Sequence, residues 1–270
     1  RRQRQMCIRD RAVRLHVVSD VHGATDALAR AGEGSDLLVC LGDLILFLDY
    51  AQPERGIYSE LFGVEHTRAY IQARTEGRFE DARELASLAW ARRGIVDPVE
   101  RRAALEAKIA EQYAELFAVL PPALLTYGNV DVPALWPQFL GPDHVVLDGA
   151  AIDVGGLRLG FVGGGLVSPM RTPYERTPDE FAASLDRLGP VDILFTHIPA
   201  ANPGLMYDTV ARRFESGSQA IVDYIEAYRP VLHLFGHVHQ PLRARWRHGS
   251  TECMNVGHFA SRRLPFVIDL

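Results

Sequence analysis

The chain has 270 residues, 47% apolar and 23% charged, with 29 Lys and Arg against 34 Asp and Glu and a formal net charge of −5. That is enough for one large α/β domain with an elaboration. No run nears the ~20 apolar residues that span a bilayer, and an acidic body lacks the basic footprint of a nucleic-acid binder. Three cysteines, Cys7, Cys40 and Cys253, give no disulfide framework, which points to a reduced, cytoplasmic setting.

Residues 1–11 (RRQRQMCIRDR) have neither the apolar core of a signal peptide nor the period of a transit helix. They read as a non-native tail of the kind produced by translation of a sequencing adaptor. Without them Lys+Arg falls to 24, Asp+Glu to 33 and the net charge to −9. Residues 12–270 then form the domain. Its first two apolar runs, LHVVSDVHG at 15–23 and LLVCLGD at 37–43, predict buried strands ending on Asp20 and His22, and on Asp43.

Residues 50–122 change character. Apolar residues recur at helical spacing, as in Phe79, Ala82, Leu85, Ala86, Ala89 and Trp90, and again in Leu105, Ile109, Tyr113, Leu116 and Phe117. Gly94 and Asp97-Pro98 separate two helices, Asp97 as N-cap and Pro98 at the first helical position. The segment is expected to be a helical insertion that caps the site, or a face for a homodimer; its length exceeds that of an ordinary connection.

LLTYGNVD at 124–131 predicts a third strand ending on Asn129. Short strands at 145–147, 151–154 and 157–162 follow, and then Gly163-Gly164-Gly165 opens a loop in which Arg171 is the candidate for binding a phosphate. DILFTH at 192–197 and VLHLFGHVH at 231–239 predict two more strands, ending on His197 and on His237 and His239. Helices are expected at 178–188 and 217–228. His16 and His233 lie inside strands and read as structural.

Open α/β sheets bind ligands in the crevice beyond the carboxyl ends of their strands. Five such ends would bring together Asp20, His22, Asp43, Asn129, His197, His237 and His239. Seven oxygen and nitrogen donors exceed one tetrahedral ion and suit two. Without a thiolate, the set favours a hydrolytic centre taking Mn, Fe, Zn or Ni over a structural zinc.

The series Asp20-Val21-His22, Gly42-Asp43, Gly128-Asn129, His197 after an apolar strand, and Gly236-His237-Val238-His239 resembles the calcineurin-like metallophosphoesterase superfamily in order and in strand-end context. The resemblance implies a four-layer sandwich of two mixed β-sheets flanked by helices. It also implies that Asp20, His22 and His239 bind one divalent ion, that Asn129, His197 and His237 bind a second, and that Asp43 bridges them. Many members carry a histidine after the Gly-Asn of the third motif; here the segment is Gly128-Asn129-Val130-Asp131, similar to the bacterial and archaeal phosphodiesterase branch with Gly-Asn-x-Asp.

Valine has no proton to give, so good leaving groups are expected to be favoured. His258, in Asn255-Val256-Gly257-His258, is the candidate replacement donor. The expected activity is hydrolysis of a small phosphorylated substrate, a phosphodiester, by a metal-bridging hydroxide. A scaffold protein of the same fold and a nuclease of the same superfamily are the alternatives, together with a bimetal hydrolase of non-phosphate bonds.

Overall fold

The computed structural model describes residues 13–270; the tail at 1–11 lies outside them. In chain order the first half comprises β1 (Arg14–Val18), α1 (Thr25–Leu28), β2 (Leu37–Cys40), α2 (Ile57–Phe62), α3 (Val64–Thr75), α4 (Phe79–Arg92) and α5 (Pro98–Val119). Next come β3 (Ala123–Leu125), a 3-10 turn at Pro133–Gln138, β4 (His144–Val146), β5 (Ala150–Val154), β6 (Leu157–Val162), β7 (Gly165–Leu166), β8 (Glu175–Arg176) and α6 (Pro178–Asp186). The remainder is β9 (Ile193–Thr196), α7 (Pro203–Met206), β10 (Tyr207–Asp208), β11 (Arg213–Phe214), α8 (Gln219–Tyr228), β12 (Leu232–Phe235), β13 (Arg245–His248), β14 (Thr251–Asn255), α9 (Phe259–Arg262) and β15 (Phe266–Asp269).

Two large mixed sheets form, with strand orders β15-β1-β2-β3-β4 and β13-β14-β12-β9-β6-β5. In the first, β1 to β4 run parallel and β15 pairs antiparallel with β1. In the second, β6, β9, β12 and β14 are parallel, with β5 and β13 antiparallel at the edges.

Strand alternation explains the layering. In β1 and β2, Leu15, Val17 and Val39 face one way, into a core shared with Phe161, Ile193, Phe195, Leu232 and Leu234 of the second sheet. The opposite face presents Val18, Leu38 and Cys40 to a second core containing Leu28 of α1 and Ile109, Tyr113, Leu116 and Phe117 of α5. A third core joins Val162, Leu194 and Phe235 to Phe181 and Leu185 of α6 and Ile221 and Ile225 of α8. Both faces of each sheet are therefore covered, which is why the parallel strands read as continuous apolar runs rather than alternating ones. The result is the four-layer sandwich.

Segment 50–122 divides between two environments. Helix α5, capped by the Asp97 side chain accepting from Val99 N with Pro98 at its first position, is itself the outer layer over the first sheet. Helices α2 to α4 form an aromatic packet beside it. Tyr58 stacks on Tyr70, and Phe62 meets Trp90 edge-on at 4.8 Å. Arg93 Nη1 closes the packet on Leu61 O at 2.7 Å. The α2–α3 portion lacks the strong apolar period of α4 and α5, so sequence patterning alone does not mark it as two helices.

Candidate metal centre

The parallel strands deliver their carboxyl ends to one crevice, and seven of the residues singled out from the sequence meet there. Three groups have ligand atoms within 4.8 Å of one another: Asp20, His22 and Asp43; Asp43, His197 and His237; and His22, His239 and His258. Asp43 joins the first group to the second, and His22 joins the first to the third. His197 Nε2 is 3.4 Å from Asp43 Oδ2 and 3.0 Å from Asn129 Oδ1, and His22 Nε2 is 3.3 Å from His239 Nε2 and 4.0 Å from Asp43 Oδ2. His239 Nε2 lies 3.4 Å from Asp20 Oδ1.

Local backbone geometry aims these side chains. Asp20, His22, Asp43 and His237 all adopt the left-handed region, with φ of 57°, 40°, 53° and 67°. Asp and His tolerate that region better than most residues, yet each such position costs on the order of 1 kcal/mol. Loop-to-loop hydrogen bonds over-determine it. Asp20 N donates to Gly42 O at 3.1 Å, His22 N to Asp43 O at 3.0 Å, and His237 N to Asp20 Oδ2 at 2.9 Å. The Gly preceding Asn129 and the Gly preceding His237 are steric requirements. A Cβ on Gly128 would overlap the Asp43 carboxylate, and one on Gly236 would overlap Ser19 and Asp20.

Asp131, two positions beyond the expected ligand Asn129, organises the site without being one of the expected ligands. Fully buried, its carboxylate accepts from Asp43 N at 2.7 Å, Gly128 N at 2.8 Å, Leu44 N at 3.1 Å and Tyr113 Oη at 3.2 Å. It ties the second and third motifs together and couples both to α5. The Gly-Asn-x-Asp pattern was the signal, since an aspartate two positions after a candidate ligand had no other assignment.

The donor set fits divalent cations. A carbonyl can only accept, so His22 Nδ1, 3.0 Å from Ile45 O, and His197 Nδ1, 2.9 Å from Leu41 O, carry the ring protons. In the neutral ring the Nε2 lone pairs then face other acceptors, carboxylate, amide and imidazole. Asp20 Oδ1 and His237 Nε2 are buried without any hydrogen-bond partner among the described residues. Converging lone pairs of this kind repel unless positive charge sits among them, either a metal ion or, in its absence, the second proton of an imidazolium.

The titration behaviour agrees. Burial alone would raise Asp20, but His239, His197 and His22 hold it well below the usual carboxylate range. Asp43 is likewise depressed against its burial, chiefly by His197. Burial would push His197 down, yet the Asp43 carboxylate outweighs it and lifts the imidazole to about 9. Burial and the Asp43 charge raise Asp131 to about 6.

His258 sits beside this cluster, stacked parallel on His239 at 3.9 Å and edge-on to His22 at 5.6 Å, with Nδ1 2.7 Å from Ser261 Oγ. Burial and His239 push it down to about 3, so its ring is neutral at neutral pH. Arg171 is not drawn into the cluster. It is exposed at φ 50°, its side chain makes no hydrogen bond among the described residues, and its charge is felt by Glu80 of α4. The Gly163-Gly164-Gly165 run lies directly behind the third motif, where Gly164 N donates to Tyr127 O and Tyr174 N to Asn129 O, so these glycines make room for the chain itself. The two strand-interior histidines take structural partners, His16 on Ala31 O and His233 on Thr196 Oγ1. No helix among the described residues is long and apolar enough to cross a membrane.

One solved structure aligns over 92% of this chain and 91% of its own at 15% identity, with a TM-score of 0.55. The structure of TT1561 from Thermus thermophilus aligns over 96% and 99% at 13% identity, with a TM-score of 0.53. These likenesses speak to the fold. No curated protein matches the chain by sequence. The sequence model of the calcineurin-like phosphoesterase family matches residues 13–241, which takes in all seven strand-end residues. The chain therefore belongs to the calcineurin-like phosphoesterase family, and is a metal-dependent hydrolase of phosphoesters.

Proposed function

We propose that the chain hydrolyses phosphodiesters with two divalent ions, one held by Asp20, His22, His239 and Asp43, the other by Asn129, His197, His237 and Asp43. The observation that carries this reading is the pair of acceptor groups sharing Asp43, with ring protons parked on the Leu41 and Ile45 carbonyls so that lone pairs face inward. Bound ions would supply an acidified water as nucleophile and would offset charge on the phosphoryl oxygens. The chain does the rest. Asp131 fixes the Asp43 and Gly128 backbones, Val130 N holds Asp43 Oδ1 at 2.9 Å, and the Asp20 carboxylate secures His237 through its backbone N–H.

Val130 donates only that backbone N–H, and its side chain packs against the apolar core under the first sheet. His258, neutral at physiological pH, can give a hydrogen bond to a leaving oxygen but holds no ready imidazolium proton. Leaving groups that depart without full protonation are therefore favoured. Arg171, one residue from the Thr172 that touches Asn129, would meet a phosphate oxygen at the mouth. The buried thiols of Cys40 and Cys253 suit a reduced cytoplasmic setting.

The test is a panel of aryl and alkyl phosphodiesters and phosphomonoesters, assayed on protein of measured metal content. Two ions per chain and fastest turnover of an activated aryl phosphodiester are expected. Fewer than two divalent ions at saturation would remove the two-ion reading, and an alkyl monoester as best substrate would remove the phosphodiesterase one. A scaffold of the same fold predicts no turnover with any metal.

A further inference from the structure

Asn129 poses a problem that the metal ligands themselves do not solve. A side-chain amide has an oxygen face and an NH2 face of nearly the same shape, and only the oxygen can serve a cation. Beside His197 Nε2 in the deprotonated state that a cation requires, the amide left to itself would gain a hydrogen bond by turning its NH2 inward and would present the wrong end. In the structure Oδ1 faces His197 at 3.0 Å and Nδ2 faces away, donating to Thr172 Oγ1 at 3.2 Å.

We propose that Thr172 and Glu175 are positioning residues that fix the amide of Asn129 with its oxygen toward the second ion; this rests on the two-ion reading above. The polarity of the chain of hydrogen bonds is forced. Glu175 accepts from Ser168 N at 3.1 Å, Ser168 Oγ at 2.7 Å, Thr172 N at 2.9 Å and Thr172 Oγ1 at 2.9 Å. An ionised carboxylate can only accept, so the single hydroxyl hydrogen of Thr172 is committed to Glu175. The Thr172 oxygen is then left as an acceptor, and the group opposite it on Asn129 must be the NH2. Glu175 thus dictates, two hydrogen bonds away, which atom of Asn129 meets the ion.

The loop is built to hold that register. Pro173 restricts the backbone of Thr172 to the extended region. On the other side of the proline, Tyr174 N donates to Asn129 O at 2.9 Å, so the same turn grips Asn129 by its backbone and by its side chain. Tyr174 and Arg176 are anchored in turn on Asp148, and the short parallel pair of β7 with β8 closes the loop at its base.

The test is a Mn(II) titration of the metal-stripped full chain, read from the electron paramagnetic resonance signal of free Mn(II). Thr172→Val keeps the shape and removes the hydroxyl; Thr172→Ser keeps the hydroxyl and removes the methyl. Wild type and Thr172→Ser are expected to bind two ions with similar affinities. Thr172→Val should bind the first ion as wild type does and the second about 10- to 100-fold more weakly, the range seen when an outer-shell partner of a ligand is removed. Glu175→Gln should shift the second site in the same direction, because its amide can donate to Thr172 and release the hydroxyl hydrogen toward Asn129 Oδ1. Two wild-type-like affinities in both Thr172→Val and Glu175→Gln would overturn the relay while leaving the two-ion reading intact. So would a Thr172→Ser protein as weak as Thr172→Val, since the methyl group would then be responsible. A wild type that holds fewer than two ions overturns the metal reading, and the relay with it.

Discussion

In metal-free protein, a proton on His197 should stand in for the missing cation, and its loss should be visible in the stability of the fold. The ring is fully buried, its Nδ1–H is spent on Leu41 O, and its Nε2 faces Asn129 Oδ1 at 3.0 Å and Asp43 Oδ2 at 3.4 Å. Protonation converts two repulsive contacts into attractive ones, and His197 rises to about 9 from 6.5. Because the folded value exceeds the unfolded one, the proton stabilises the fold fully below pH 6.5, and that contribution disappears as pH rises through about 9. The interval corresponds to about 3 kcal/mol, a large share of the 5–15 kcal/mol typical of a domain. His239, raised by Asp20, acts in the same direction. His233 and His258, both near 3, and the depressed His237 change the balance only below pH 6.5. Chemical denaturation of chelator-treated protein from pH 6.5 to 9.5 is the assay. Stability should fall by about 3 kcal/mol, while Asp43→Asn, which removes the carboxylate at 3.4 Å, should flatten the profile. Metal must displace this proton, so affinity for the second ion should rise with pH by up to about tenfold per unit over the same window. A metal-free protein equally stable at pH 6.5 and 9 would refute the reasoning.

Asp43→Asn should also lower occupancy at both ions, since Asp43 is the carboxylate that joins the Asp20–His22 group to the His197–His237 group; metal analysis should find a loss exceeding the roughly 100-fold typical of an outer-shell change, with hydrolysis abolished. Val130→His should narrow the preference for aryl over alkyl phosphodiesters, measured as a ratio of kcat/KM values, and cost about 1–2 kcal/mol because Val130 is partly buried against the core. Excision of the insertion must spare α5, whose Tyr113 supports Asp131 and whose Ile109, Leu116 and Phe117 are core. Replacing 64–92 with a short Gly/Ser linker, so that Arg93, which already meets Leu61 O, is kept, should leave Mn(II) binding intact. Relative rates across the substrate panel should change, because Arg74 of α3 reaches Met170 in the loop beside Asn129. Unchanged relative rates in a folded variant would assign α3 and α4 to packing or to a dimer face.

The sequence by itself determined the sheet order's raw material and the residues at the site. Strands buried on both faces must be apolar throughout, so the parallel strands stood out as runs, and polar residues placed at their ends had no core role to explain them. The helical period of α4 and α5 was equally plain, because each buries a single stripe. What only the tertiary structure decided lies in contacts distant in sequence. Strand β15 closes the first sheet on β1 from 255 residues away along the chain, with Arg14 opposite Asp269. Helix α5 proved to be a layer of the sandwich because its apolar stripe finds the first sheet, a choice of partner that periodicity cannot encode. The left-handed backbone at Asp20, His22, Asp43 and His237 depends on hydrogen bonds between loops. The work of Asp131 and Glu175 is to accept hydrogen bonds from residues that only folding brings near, and a hydrogen bond has no period along the sequence by which it could be read.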